Sequence, residues 1–220
     1  MSTPSVDPPS EPGQEYNGGV GSQTPTPPRQ AATVILLRGG GRALELLLVK
    51  RNPQARFMGG VWVFPGGAVE QATDRGAAGE DDRAHRAAAV RELREEAGVE
   101  LPAEAELVKF SRWITPAAVR TRFDTHFFLA ALPDGQEPRV DGEECVNLGW
   151  YTPAGALEAH HAGELELVFP TIKHLEQIAP FVTADELLEH TRGREVQPVE
   201  PRIVLEGEVA RVVLPGEPGY

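Results

Sequence analysis

A single cysteine, Cys145, stands among the 220 residues. One thiol cannot close an intramolecular disulfide, so nothing in the sequence makes use of an oxidising compartment. Basic residues are scarce as well: 21 Lys and Arg face 33 Asp and Glu, a formal net charge of −12. Duplex nucleic acid and anionic membranes both demand a basic face, and this balance argues against either as a partner. No apolar run approaches the roughly 20 residues that span a bilayer. Met1-Ser2-Thr3-Pro4 lacks the basic and apolar regions of a secretory leader, and Pro218-Gly219-Tyr220 is not a peroxisomal tripeptide. A cytoplasmic protein without nucleic-acid or membrane partners is expected.

What is present divides the chain in three. Residues 1–30 are rich in Pro, Ser, Gly, Thr and Gln and almost free of aliphatic side chains. Such a stretch cannot bury enough apolar surface to offset its ordering entropy, and it is read as a disordered tail. Residues 31–155 alternate apolar runs with turns: strands over Thr33–Leu37, Leu44–Val49, Leu107–Ile114, Thr121–Ala131 and Val146–Trp150, with Pro65-Gly66-Gly67 as turn chemistry. Residues 71–82 read as an exposed loop, and about Arg83 to Ala97 as a helix stopped by Gly98. Residues 156–220 form an extension. Thr152-Pro153 opens a helix ending near Gly163, a second helix covers Thr171–Ile178, and Thr183-x-x-Glu186 is a capping box for a third. Arg202–Leu205 and Ala210–Leu214 form a terminal hairpin. Strands around one central helix, with a helical annex, predict a layered α/β (α+β) domain.

The chemistry concentrates in Arg91-Glu92-Leu93-Arg94-Glu95-Glu96-Ala97-Gly98. At 100° per residue, Glu92, Glu95 and Glu96 lie on one helix face, while Ala89, Val90, Leu93 and Ala97 make another that packs on the sheet. Like charges at this spacing repel, so a sequestered cluster needs a cation. Carboxylate oxygens suit Mg²⁺ or Mn²⁺ rather than zinc. Three glutamates alone would more readily make a solvated acidic face.

The flanking residues change that balance. Phe64-Pro65-Gly66-Gly67, the acid Glu70, and Arg91-Glu92-Leu93-x-Glu95-Glu96-x-Gly98-Val99 together resemble the Nudix box of the Nudix hydrolase family. The resemblance implies a Nudix-type α/β/α sandwich with a mixed sheet, here carrying the helical and hairpin extension. It also implies an enzyme that uses Mg²⁺ or Mn²⁺ to hydrolyse a diphosphate linkage in a nucleoside diphosphate derivative. By motif position, Glu95 and Glu96 are the principal metal ligands, and Glu92 is a further ligand or the residue that orients or deprotonates water. Arg91 holds a glutamate by a charge-assisted hydrogen bond, and the Gly67 carbonyl reaches a metal. The family's box places a glutamate eight residues before its arginine; that position here is Arg83, and the Gly67–Arg91 interval is longer than usual. Glu80, Asp81 or Asp82 is left to replace the missing carboxylate. The lengthened box resembles the branch with animal peroxisomal coenzyme A diphosphatases and their bacterial relatives.

Upstream, Leu47-Leu48-x-Lys50-Arg51, Arg56 and Gly60 partly match the segment before the box in coenzyme A diphosphatases, with Asn52 and Ala55 standing where serine and leucine are usual. Lys50, Arg51 and Arg56 either pair with substrate phosphates or are solvated ends of a strand and loop. In Asp141-Gly142-Glu143-Glu144, Glu144, ahead of Glu143, is the candidate for an extra ligand or base from a loop. His126 reads as a satisfied structural histidine, His160-His161 as helix surface, Cys145 as a small buried residue, and Trp62 and Trp113 as core. Coenzyme A or an acyl derivative is the expected substrate. ADP-ribose or a nucleotide sugar, a non-catalytic nucleotide-binding module, and a homodimer built on the extension remain as alternatives.

Overall fold

The structure is a computed structural model that describes residues 26–70, 81–206 and 209–220. Residues 1–25 of the expected tail lie outside the described residues, as do residues 71–80 of the expected loop, Glu80 among them, and the side chain of Asp81.

Strand β1 (Arg29–Arg38) runs through the centre because its sequence is apolar on both faces. Ala32, Val34 and Leu36 point into a cluster with Ala88, Ala89, Leu93 and Ala97 of α1 (Asp81–Ala97). Ile35 and Leu37 point the other way, into a cluster with Leu175, Ile178 and Leu187. Period-2 alternation thus divides one strand between two cores. Val90, expected on the packed face of α1, is only half-buried, and Ala88 is buried instead.

Strands β2 (Glu45–Arg51), β3 (Trp62–Val63), β4 (Gly66–Ala68), β5 (Val108–Ile114), β6 (Phe123–Ala131) and β7 (Cys145–Tyr151) build the sheet around β1. Its order is β3-β2-β1-β6-β5-β8, with β4 paired to β1 and β7 to β2. The β1–β6 pair and the pair of β5 with β8 (Pro198–Val199) are parallel and the rest antiparallel, so the sheet is mixed. Helices α2 (Pro153–His161), α3 (Phe169–Ile178) and α4 (Ala184–Thr191) contribute Ala156, Leu175, Ile178, Leu187 and Leu188 to the cluster opposite α1. The result is three layers: α1, sheet, and the helices of the extension. Strands β9 (Arg202–Glu206) and β10 (Val209–Val213) pair with each other as a separate antiparallel sheet.

Local signals place most boundaries. Thr152 caps α2 by accepting from the Gly155 N–H at 3.1 Å. Thr183 accepts from the Glu186 N–H at 3.2 Å, but the Glu186 carboxylate returns to the N–H of Val182, at 3.0 Å, rather than to that of Thr183. Three expectations change. Strand β1 starts at Arg29, inside the compositional tail, because Arg29 to Ala31 pair with Phe123 to Thr125. Helix α1 already contains Asp81 and Asp82, ahead of Arg83, with Asp82 tied to Lys109 Nζ of β5 at 2.6 Å. And Gly66–Ala68 is not a bare turn: it pairs with β1 as a strand.

Two buried imidazoles carry a pH cost. His174, fully buried, meets Ser111 Oγ at 2.7 Å through Nε2, lies 4.3 Å from the Phe127 ring and has no hydrogen bond at Nδ1. Burial pushes it down to about 3. His126 is not satisfied in the expected way. Its Nδ1 lacks a hydrogen bond, and its ring stacks on His85 at 3.8 Å with Asp82 Oδ1 3.5 Å away. Burial first, then the neighbouring His85, Lys109 and Arg112, push it down to about 4. Trp62, Trp113 and Cys145 are buried as expected. His160, in the last turn of α2, is half-buried, its Nδ1 2.9 Å from the Leu165 carbonyl oxygen.

Arg122 ties segments flanking three strands of the sheet at one end. It donates to the Thr115 carbonyl at 3.0 Å, to the Thr26 carbonyl at 3.0 Å and to Glu200 at 2.6 Å. Among the described residues no helix is long and apolar enough to cross a membrane.

Two tests follow from these contacts. Arg122→Ala should cost about 2 to 3 kcal/mol in urea unfolding, because three acceptors lose a nearly buried cation. The pH test rests on His174. A neutral folded imidazole depressed to about 3 binds no proton where the unfolded chain, at about 6.5, does. Stability should therefore be full above pH 6.5 and fall as pH drops toward 4. His174→Gln should flatten that slope by about 1.4 kcal/mol per pH unit, measured by denaturant midpoints.

Candidate functional site

The site forms where β4 meets α1. Pairing to β1 sets Gly67 opposite Ala32 and Gly66 opposite Thr33. A Cβ on Gly66 would overlap Thr33 Oγ1 and the Ala32 carbonyl, and one on Gly67 would overlap the Glu92 carboxylate. Glycine is needed at both positions because backbone, strand and carboxylate approach so closely.

Glu92, Glu95 and Glu96 share the helix face but not the environment. From Glu92, Glu96 is rotated 40° one way and Glu95 60° the other. Glu96 turns inward, 2% exposed, and accepts from the Gly66 N–H at 2.9 Å. Arg51 Nη1 approaches it at 3.5 Å, a loose ion pair, with the Arg51 Nε buried and lacking a hydrogen bond. Glu92 is also buried. Glu95 turns outward. Arg91 bridges all of this: Nη1 donates to Glu92 Oε1 and Glu95 Oε2, both at 2.9 Å, and Nη2 to the Ala68 carbonyl at 2.9 Å. One guanidinium thereby ties α1 to β4.

Burial dominates the electrostatics. It pushes Glu96 up to about 7; the Gly66 N–H and Arg51 oppose this, while the charges of Glu92 and Glu144 add to it. Burial also raises Glu92, against Arg91 and with Glu95 and Glu144. The thiol of Cys145, beside Glu96, is pushed far up. Two interior carboxylates with a third acid acting on both are short of positive charge, and every donor is a hard oxygen. Among the described residues no three carboxylate, imidazole or thiol groups converge into a preformed metal cage. Mg²⁺-type sites complete their shell with water and substrate phosphate rather than with an all-protein cage. The donor set therefore fits such a cation.

The structure places Arg51, Gly67, Arg91, Glu92, Glu95 and Glu96 around the contact of β4 with α1 through the bonds above, and Glu144 acts on Glu92 and Glu96 through its charge. The other two basic candidates stay apart. Lys50 lies half-buried in β2, opposite Trp62 and Asn147, and Arg56 is exposed on the loop after it, beside exposed Phe57 and Met58. Of the three acids left open for the missing box glutamate, Asp82 is engaged elsewhere, on Lys109 and near His126. Sequence reasoning missed the Arg51–Glu96 contact, because it joins residues 45 apart. It also missed Asn52 and Asp141, whose polar-turn chemistry was the available signal.

A three-layered α/β domain in which a glycine strand cradles helix-borne glutamates defines the class of protein. The chain belongs to the Nudix family, whose NUDIX domain model matches residues 27–170. It is 30% identical over 187 residues to nudix hydrolase 7 of Caenorhabditis elegans, covering 69% of this chain. It is 31% identical over 119 residues to the human acyl-coenzyme A diphosphatase NUDT19, covering 52% of this chain. The chain spans 60% of the worm protein's length and 32% of the human one's. Among solved structures, a NUDIX hydrolase from Alicyclobacillus acidocaldarius superposes with a TM-score of 0.66 at 26% identity, over 74% of this chain and 96% of that one. The NUDIX domain of Shewanella oneidensis NrtR, complexed with ADP ribose, shares the fold at a TM-score of 0.53 and 18% identity, over 70% and 88%.

The Gly67 contact is testable. In Gly67→Ala the methyl group must displace the Glu92 carboxylate, the mobile end of a side chain, so the melting temperature should shift by the equivalent of only about 1 kcal/mol. Mn²⁺ affinity, read by calorimetry, should fall by about tenfold or more. Unchanged affinity would remove Gly67 and Glu92 from the site.

Proposed function

We propose that this chain hydrolyses the diphosphate linkage of a nucleoside diphosphate derivative, with coenzyme A or acyl-coenzyme A as the leading substrate and Mg²⁺ or Mn²⁺ as cofactor. The observation that carries the reading is the burial of Glu96 and Glu92 against the Gly66–Ala68 strand. Interior carboxylates whose protein partners leave them short of positive charge point to a cation or a reaction that uses them.

Glu92, Glu95 and Glu96, with the Gly67 carbonyl, would hold the metal, whose chemistry there is polarisation of phosphoryl oxygens and activation of water. Arg91 keeps Glu92 and Glu95 in place and fixes them to β4. Arg51 steadies Glu96 from the end of β2. Glu144, in the β6–β7 loop, acts on both buried acids through its charge and is the candidate to orient the attacking water and take its proton, as Glu92 is from the helix. The new P–O bond forms to that water oxygen, and the broken P–O bond leaves its electron pair on the departing phosphate oxygen. Lys50 and Arg56 stay apart from the glutamates, on β2 and just beyond it, and Arg51 is the basic candidate beside the metal-holding acids. The resemblance to the human diphosphatase, over 52% of this chain, favours coenzyme A esters.

The expected outcome is Mg²⁺- or Mn²⁺-dependent release of a nucleoside monophosphate or a phosphopantetheine product from a panel of coenzyme A, acyl-coenzyme A, ADP-ribose and dinucleoside polyphosphates. Glu95→Gln and Glu96→Gln should each lower turnover by roughly two orders of magnitude with the fold retained by circular dichroism. Wild-type turnover in both variants would refute the metal role. Binding of the panel without any product would replace the enzyme by a nucleotide-binding module.

A further inference from the structure

The loop between β6 and β7 carries Asp141-Gly142-Glu143-Glu144 and closes against the end of β2. Its conformation is set from two sides. On its own side, the Asp141 carboxylate accepts three consecutive backbone N–H groups: Glu143 at 3.2 Å, Glu144 at 2.7 Å and Cys145 at 2.9 Å. Those three donors hold the Asp141 carboxyl below its usual range, despite the cost of partial burial. Gly142 makes the reversal with φ +83° and donates its N–H to the Cys145 carbonyl at 3.0 Å.

The second grip comes from another element. Asn52, next to Arg51, donates its backbone N–H to the Glu144 carbonyl and its Nδ2 to the Glu143 carbonyl, both at 2.8 Å. Its own Oδ1 is occupied by the Gln54 N–H at 2.9 Å, which stops the amide from turning. Cys145 sits opposite Arg51 in the β2–β7 register, at the irregularity between Lys50 and Arg51. The backbone on both sides of Glu144 is therefore tied to the strand end that delivers Arg51 to Glu96. Among the described residues the Glu144 side chain makes no hydrogen bond to this framework, and the carboxylate stays exposed.

An Asx turn by itself would explain Asp141. It does not explain why a residue on β2's end aims two donors at the two carbonyls flanking the same peptide. Two anchors, about 90 residues apart in sequence, converge on one exposed glutamate whose charge is felt by both buried ones.

We propose that Asp141 and Asn52 are positioning residues that preorganise Glu144 toward the Glu92–Glu96 pair, so that Glu144 serves as the third acid of the hydrolytic site. The proposal rests on the diphosphatase reading above. It gains its leverage from geometry: a displacement of about 1 Å at an acid–base group can cost on the order of a hundredfold in rate.

The test is a double-mutant cycle on the full-length chain, with Mg²⁺ and with coenzyme A and ADP-ribose as probes. Glu144→Gln should lower kcat by about a hundredfold. Asp141→Ala and Asn52→Ala should each lower kcat by about tenfold with KM within about threefold, and Asp141→Asn, which keeps an acceptor oxygen, should recover most of the loss. In the Glu144→Gln background, Asp141→Ala should then cost less than about twofold, because its target is already gone. Equal losses in both backgrounds would mean a merely structural turn and would overturn the proposal. So would wild-type kcat in Asp141→Ala or in Glu144→Gln. A wild-type chain inert on both probes overturns the diphosphatase reading first, and is thereby told apart from failure of the positioning role alone.

Discussion

Two glutamate carboxylates lie inside this protein, and the surrounding architecture answers the cost of putting them there. An ionised group taken from water into a low-dielectric interior costs several kcal/mol unless it is hydrogen-bonded or paired. Glu96 receives one backbone N–H and a loose arginine, and Glu92 receives Arg91. Those partners reduce the penalty without cancelling it, and Glu96 is pushed up to about 7. The remaining deficit is a deficit of positive charge. A hard divalent cation is the group that would remove it, and an anionic phosphate is what such a cation would then attract. In this way an acidic chain can take an acidic substrate.

The same constraint explains the strand layout. Holding Glu96 needs a backbone donor with no side chain in the way, which is Gly66; holding Glu92 needs space, which is Gly67. Both require β4 to lie directly on α1, and β4 is placed by pairing with β1 rather than by any contact of its own side chains. β1 can serve as that template because both of its faces are buried, one by α1 and the other by the helices of the extension. The α2–α4 layer therefore supports the site from the far side of the sheet. Arg122 adds a further tie, joining the segment before β1, the end of β5 and the residues after β8.

Much of the fold was legible in the amino-acid sequence for local reasons. The apolar runs of β1 and β2, the Gly98 stop, the Thr152 and Thr183 caps and the terminal hairpin are each decided by neighbours within a few residues. The resemblance of Phe64–Gly67 and Arg91–Val99 to the Nudix box was also visible, and family membership follows for residues 27–170. Errors gathered where a distant element decides. Gly66–Ala68 reads as a turn because glycines resist strands, yet pairing with β1 makes it one. Arg29 and Gln30 read as tail because their composition is polar, yet β6 lies alongside them. His126 reads as satisfied, yet its environment is a stacked imidazole and an aspartate contributed by α1.

The glutamate helix, its spacing and its chemical type were determined by the sequence alone, since helical periodicity and oxygen donors follow from residue identity. Which glutamate is buried was decided only by tertiary structure. A rotation of 40° or 60° from Glu92 separates an interior carboxylate from an exposed one, and only the position of β4 says which side is interior. The same holds for Arg51, Asn52 and Asp141. Each is an ordinary polar residue in sequence, and it acquires its place by pairing with groups that lie tens of residues away and meet at one end of the sheet.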